Sequence, residues 1–528
     1  MEQPKQIFEN KYLEQQQIPQ PEEYINKLRE HGHEDLAEVY AKVIEISQAI
    51  KEAGGQALLV GGCVRDIFFN KISKDFDIEI YKLQPEQIEE IVSKFGKVSD
   101  VGKAFGILKI AFGQGIDIDV SLPRRDSKIG AGHKGFEIKA DPDMSIEDAA
   151  KRRDFTINSM AADPLTGELH DPYNGLEDVK NRVLRITDEE RFQDDPLRIM
   201  RALQFMGRFG LKLDRQSAKL IQQMAPQLKE LPEERILEEW KKLLLKSDKP
   251  SLGLMAGMSL GVLDEIHPSF PPMAKTPQDR EWHPEGDTWI HTLMAVDKAA
   301  EITKREDLPA EESLVVLFST LCHDLGKPET TKIRVDEKGN ARVISHGHEP
   351  EGEEPTKKFL NEIKIDNKTR DKVISCVKNH LIPTVLFTEE EIKENKVSDG
   401  AIRRLAKRIH PATIQELVLV AEADHLGRGP FSDPEVPEQA LYPDSFPAGP
   451  WLIERARKLK VEDSKPADLL MGRDLINLEL KPGLEFGQII KLANDLRDDK
   501  EMTKEQVLQA IYDSKDAKEA LAKLKKLK

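Results

Sequence analysis

The sequence predicts an α/β head followed by all-α domains, and three observations carry that prediction. An apolar run, Ala57-Leu58-Leu59-Val60, ends in Gly61-Gly62, as a buried strand ends in a sharp turn. A second stretch, Lys74 to Tyr81, alternates apolar and acidic residues, as on a half-buried strand. Beyond about residue 186 the chain reads as helix, and at 528 residues it is too long for one core.

Composition bounds the class. Hydrophobic residues make up 39% and charged residues 33%, which describes a soluble globular protein. No apolar run is long enough to span a bilayer, and the polar N-terminus lacks a signal-peptide core. Cys63, Cys322 and Cys376 are few, odd in number and far apart, which argues for a reducing cytoplasm and against a disulfide frame or a cysteine metal site. The net charge of −16 weighs against nucleic-acid binding, but 79 Lys and Arg leave room for local basic patches.

Taken in order, residues 1–55 are a helical packing segment, with Leu36, Val39, Tyr40, Val43, Ile46 and Ile50 at helical spacing. Residues 56–185 form the head. Phe76, Ile78 and Ile80 face one way, Asp75, Asp77 and Glu79 the other. Two carboxylates held so closely repel unless a cation lies between them. With Gly61-Gly62 as a phosphate cradle, the cation is read as Mg²⁺ and the ligand as a nucleotide. A lone Asp-x-Asp is more often solvated surface; the conjunction within one supersecondary unit carries the reading. A helix at Pro85 to Phe95 and strands at Val98 to Gly102, Ile107 to Phe112 and Ile116 to Val120 follow. Asp117 and Asp119 share a face, so one can join the pair; a solvated edge strand is the equal alternative. Asp126 to Gly135 reads as a flexible basic loop. Lys151-Arg152-Arg153 beside Asp154 and Asn158 suits a triphosphate and a ribose.

Residues 186–275 are a helical neck. Asp195, Arg198 and Arg201 lie at helical spacing, which an ordinary i,i+3 ion pair would explain. In residues 276–430, His291, His323-Asp324, His346, His348, His380 and Asp424 are imidazole and carboxylate candidates for a divalent metal. Residues 431–528 read as a proline-rich linker and two helices. The lysines of Lys515 to Lys528, like Arg403, Arg404, Lys407 and Arg408, are either solvated faces or RNA contacts.

GGCVRD followed by KDFDIEIY resembles the head of the tRNA nucleotidyltransferase / poly(A) polymerase family, second class. That resemblance implies a polymerase-β-like mixed sheet with helices. It also implies that Gly61, Gly62 and Arg65 hold the triphosphate, and that Asp75 and Asp77, with Asp119 as third carboxylate, hold Mg²⁺. RRDFTIN resembles the family's sugar reader, which puts Arg153 and Asp154 on the ribose with Asn158 nearby. Asp195 and Arg198, with Arg201 beside them, match the element that selects CTP or ATP; Asp194 stands where the family carries Glu. His323-Asp324 followed by Leu325-Gly326-Lys327 resembles the HD phosphohydrolases. Carried over, His291, His323, Asp324 and Asp424 bind a first divalent metal, a transition metal or Mg²⁺. His348 and His380 serve a second metal or the substrate phosphate, and His346 is a further candidate. The order of parts resembles the family's bacterial multifunctional members. It implies CCA addition to tRNA with CTP and ATP, plus an HD phosphatase and 2′,3′-cyclic phosphodiesterase. A CC-adding or A-adding specialist and a poly(A) polymerase share these motifs. An HD hydrolase with an RNA-binding head is the alternative of another class. No membrane or protein partner is expected, and self-association is left open.

Overall fold

Gln56–Val60 (β1) forms a strand whose last four residues, all apolar, are buried. The computed structural model in which it lies describes residues 8, 11–99, 107–112, 117–128, 136–335, 339, 341–432, 440–441 and 443–528. The chain divides into two units, residues 1–239 with 256–266, and residues 240–255 with 267–528.

In the first unit β1 is joined by Phe76–Tyr81 (β2), Lys97–Ser99 (β3), Ile107–Ala111 (β4) and Asp117–Ser121 (β5). Arg124–Lys128 (β6) pairs antiparallel with Phe136–Ala140 (β7) as a separate hairpin. Ala161–Ala162 (β8) and Leu169–His170 (β9) complete a seven-stranded sheet of order β3-β4-β5-β2-β1-β8-β9. β2 and β5 run parallel and the other neighbours antiparallel, so the sheet is mixed, as expected. The helix Glu34–Glu52 buries the predicted face, and its Tyr40 ring lies 5.5 Å from that of Phe76.

Several expectations need correction. Glu79 shares the face of Asp75 and Asp77, yet it is buried, where Arg152 and Tyr81 bond to its carboxylate. Asp126 to Lys128 continue strand β6 rather than loop, because each has a register partner on β7; the rest of that expected loop, 129–135, lies outside the described residues. The neck holds the helices Arg198–Phe209 and Arg215–Met224 but is not wholly helical. Gly210 ends the first helix in the left-handed region (φ 64°), and the chain leaves it as Lys212–Leu213 (β11), parallel to Val183–Leu184 (β10).

The second unit is helical apart from short strand pairs. Thr288–Arg305, Ala310–Cys322, Asn367–Val377 and Ile414–Leu426 pack together, and Lys332–Val335 (β12) pairs with Ala341–Ile344 (β13). The C-terminal region has five helices where two were expected: Ala448–Lys458, Gly472–Asn477, Leu484–Lys500, Lys504–Ile511 and Ala517–Leu527. The last four enclose their own core of Leu475, Ile489, Leu496, Val507, Ile511 and Leu524, so short pieces become stable by packing rather than by length. Among the described residues no helix is long and apolar enough to cross a membrane.

Candidate functional sites

β1 delivers the chain into Gly61, whose φ of 71° favours glycine. A Cβ there would lie 2.9 Å from Arg153 Nη1 and 3.8 Å from Asp77 Oδ2. Turn, guanidinium and carboxylate therefore meet at one point, where Gly62 opens the helix Gly62–Phe68. Asp77 on β2 is the register partner of Asp119 on β5. That pairing selects Asp119 over Asp117, whose Oδ2 is 3.1 Å from Lys109 Nζ. Asp119 Oδ1 is enclosed without a hydrogen bond, with Lys109 Nζ at 3.6 Å. Asp75 stands exposed just ahead of β2. Burial pushes the Asp77 carboxyl up to about 6; Asp119 and Asp75 add to this, and Arg153 opposes it. A cation among these oxygens would reverse the shift, and an all-carboxylate donor set fits Mg²⁺.

The expected sugar and triphosphate readers separate into two groups. Arg153 faces Gly61, with Nη2 3.9 Å from Glu79 Oε2. Arg152 is committed to Glu79, so it does not join the phosphate side. Arg65, expected on the triphosphate, is buried. It donates to Asp66 Oδ1 (2.8 Å from Nε) and to Asn158 Oδ1 (2.6 Å), and its guanidinium lies over the rings of Phe205 and Phe209. Asn158 donates in turn to Asp154 Oδ1 at 2.8 Å, and Arg201 Nε donates to Asp154 Oδ2 at 2.6 Å. Arg208 closes the far end on Asp66 Oδ2 at 3.2 Å. This buried relay ties the helix after the glycine turn to the helix Arg198–Phe209. Burial would raise the Asp154 carboxyl, but Arg201 and Asn158 hold it below the usual range.

Asp195 and Arg198 are neighbours without being an ion pair. Asp195 precedes the helix; its Oδ1 accepts from Leu197 N at 3.1 Å and its Oδ2 from Arg235 at 2.8 Å. Arg198 donates to the carbonyls of Arg191 (2.8 Å) and Arg152 (2.7 Å). Sequence reasoning missed Glu79, Lys109 and Arg235. The charge of Glu79 on the alternating strand was the signal that it needed a partner.

The second unit holds a different centre. His291 lies in the helix Thr288–Arg305, His323 and Asp324 follow the helix Ala310–Cys322, and Asp424 lies in Ile414–Leu426. His291 Nε2 is 3.0 Å from Asp424 Oδ1 and 3.2 Å from His323 Nε2, and His323 Nε2 is 3.2 Å from Asp324 Oδ2. His348 Nε2 is 3.4 Å from Asp324 Oδ1 and 3.4 Å from His380 Nε2. Of three potential ligand groups among the described residues, two join these side chains, His291-His323-Asp324 and Asp324-His348-His380, with Asp324 common to both; the third, His283-Glu285-His291, shares His291. His291, His323, Asp324, His348, His380 and Asp424 are all buried. His346 is exposed and does not join them, a correction the local chain explains, since His348 turns inward as the first residue of the helix His348–Glu351.

The rings are held from behind. His323, His348 and His380 each turn Nδ1 to the carbonyl three residues earlier, of Thr320 (2.7 Å), Ser345 (2.8 Å) and Val377 (2.7 Å). His291 Nδ1 is 2.8 Å from Glu285 Oε1, which is also 2.9 Å from His283 Nδ1. Such partners orient metal-binding imidazoles and set their tautomer. Burial, then the neighbouring His323 and His348, pushes His380 down to about 3, leaving it a neutral donor. Burial alone would raise Asp324 and Asp424. His323 and Lys327 beside the first, and Arg428 and His291 beside the second, hold both well below the carboxylate range. Neither buried oxygen of Asp324 receives a well-aligned hydrogen bond, although Lys327 Nζ is 2.7 Å from Oδ2. Imidazoles with carboxylates fit a divalent transition metal. Sequence reasoning missed Glu285, Lys327 and Arg428; Glu285, six residues ahead of His291, carried no spacing signal.

Comparison with known proteins adds three matches to family descriptions: "Poly A polymerase head domain" over residues 57–185, "Probable RNA and SrmB- binding site of polymerase A" over 210–273, and "HD domain" over 288–429. The multifunctional CCA proteins of Actinobacillus pleuropneumoniae serotype 5b (strain L20) and serotype 7 (strain AP76) are each 31% identical over 393 residues, covering 73% of this chain and 89% of theirs. Among solved structures, the Bacillus stearothermophilus CCA-adding enzyme in complex with CTP has a TM-score of 0.59 at 23% identity, covering 90% of this chain and 95% of that one. The Thermotoga maritima CCA-adding enzyme complexed with tRNA has 0.54 at 17%, covering 93% and 96%. At these identities the structural likeness speaks for the fold.

Proposed function

The chain belongs to the family of the multifunctional CCA proteins, and from that premise we propose that it adds CCA to the 3′ end of tRNA, using CTP and ATP, without a nucleic-acid template. The observation that carries this reading is the meeting of Gly61, Arg153, Asp77 and Asp119 at the end of β1. Asp77, Asp119 and Asp75 would hold Mg²⁺, whose charge would ease deprotonation of the attacking hydroxyl and stabilise the leaving pyrophosphate. Arg153, outside that relay and beside Gly61, would bind the triphosphate rather than the ribose that the resemblance implied. Asp154 and Asn158 present the sugar-reading segment, held in place by Arg65 and Arg201. Asp195 and Arg198 are proposed to read the base, with Arg235 fixing the carboxylate.

The histidine–aspartate centre supports a second activity, metal-assisted hydrolysis of phosphoesters including 2′,3′-cyclic phosphates; the shared Asp324 favours it. In this reading residues 56–185 are the head, 186–275 the neck and 276–430 the hydrolase.

The test uses radiolabelled CTP and ATP with three tRNAs, ending before the first C, after CC, and complete. Three successive additions to the first and one to the second are expected. Addition to only one substrate would reassign the chain as a specialist. No addition, with phosphoester hydrolysis intact, would leave the hydrolase alone.

A further inference from the structure

The β12–β13 ribbon grows directly out of the histidine–aspartate centre. β12 begins two residues after the helix Lys327–Thr330, whose Lys327 touches Asp324. β13 ends one residue before Ser345, whose carbonyl orients His348. Thr331 Oγ1 and Ser345 Oγ, 2.8 Å apart, close the base. The ribbon joins no larger sheet. Two strands alone are marginal, so this one is kept for something other than the core.

Its register sorts the side chains. Lys332, Arg334 and Arg342 share one face with Ile344, whereas Ile333, Val335, Ala341 and Val343 share the other. Arg334 sits opposite Arg342, and like charges so placed repel. Glu281 answers Arg342 at 2.7 Å, but among the described residues no carboxylate pairs with Lys332 or Arg334. Beside Glu281 stands Trp282, 57% exposed, an unusual place for an indole. The next residue, His283, bears on Glu285 and, through it, on His291. An unanswered basic face and a bare indole thus spring from the two segments that fix the centre's ligands.

We propose that this ribbon and Trp282 form a binding arm for the last nucleotides of an RNA whose terminal phosphoester is presented to the histidine–aspartate centre. Lys332 and Arg334 take backbone phosphates, and Trp282 stacks on a base. RNA suits the surface because cations beside an exposed indole match alternating phosphates and bases. The inference rests on the hydrolase reading of that centre.

The test compares two substrates on the full chain supplied with Mn²⁺ or Ni²⁺. One is a triribonucleotide ending in a 2′,3′-cyclic phosphate; the other is bis(p-nitrophenyl) phosphate, which has neither base nor RNA backbone. Lys332→Ala with Arg334→Ala, and separately Trp282→Ala, should each lower kcat/KM on the oligonucleotide about tenfold, with Trp282→Phe restoring most of the loss. The double variant should also make its log–log dependence on salt shallower by about 1.4. Hydrolysis of bis(p-nitrophenyl) phosphate should stay unchanged in all three. Equal losses on both substrates, or no loss on either, would overturn the arm while leaving the hydrolase reading in place. If the unsubstituted chain hydrolyses neither substrate, the hydrolase reading falls and takes the arm with it.

Discussion

The two candidate centres would hold a cation in opposite ways. In the head, carboxylates alone gather at the end of a sheet, and Asp77 is pushed up to about 6 because nothing in the chain fully compensates it. In the second unit, every imidazole is fixed from behind and the carboxylates are held low by the chain's own cations. The first is completed by what binds to it, as suits a cation that arrives with a triphosphate. The second is a preorganised cage, as suits a resident metal. Oxygen-only donors and imidazole-rich donors divide the hard and the softer divalent ions in the same sense.

The largest effects test whether the centres are independent. Asp77→Ala should lower CTP incorporation at least about a thousandfold and leave phosphoester hydrolysis unchanged, and Asp324→Ala should do the reverse. Loss of both activities in either variant would break the comparison. Asp77→Ala should not lower the Tm, since a carboxyl whose pKa is raised by the fold adds no stability as an anion.

Arg65→Ala separates a ligand contact from a fold contact. It leaves Asp66 and Asn158 short of a partner, and about 3 kcal/mol of stability should be lost in denaturant unfolding. A raised KM for CTP with unchanged stability would instead return Arg65 to the triphosphate.

Glu285→Gln probes the cage from outside. Metal affinity of the second centre, followed by chelator competition and metal content, should fall about 10- to 100-fold while CTP incorporation is untouched. The smallest effect sharpens the contrast by pH. Protons compete with the head's cation once pH falls through about 6, so Mn²⁺ affinity of the head should drop about tenfold between pH 7 and pH 5. A pH-independent affinity over that range would show that the carboxylates are compensated after all.

Much of this was legible in the chain because it is local. The apolar run and glycine pair fixed β1 and its turn, and alternation gave β2. Three of the four histidines are anchored by the carbonyl three residues earlier, a geometry the local chain sets. Partner identity across long separations was not legible. Spacing left Asp117 and Asp119 equal and only the resemblance named Asp119; the physical reason is its parallel pairing with a strand some forty residues away, a register that neither aspartate encodes. Arg65 and Arg152 were read as ligand contacts because an isolated charge suggests a charged ligand. Folding gave them Asp66 and Glu79 instead. The sequence by itself determined which chemistries the chain carries, since residue type and short spacing set donor kind and turn. Only the tertiary structure decided which charges remain free for a ligand, because a buried charge must find its counter-charge wherever the fold brings one within reach.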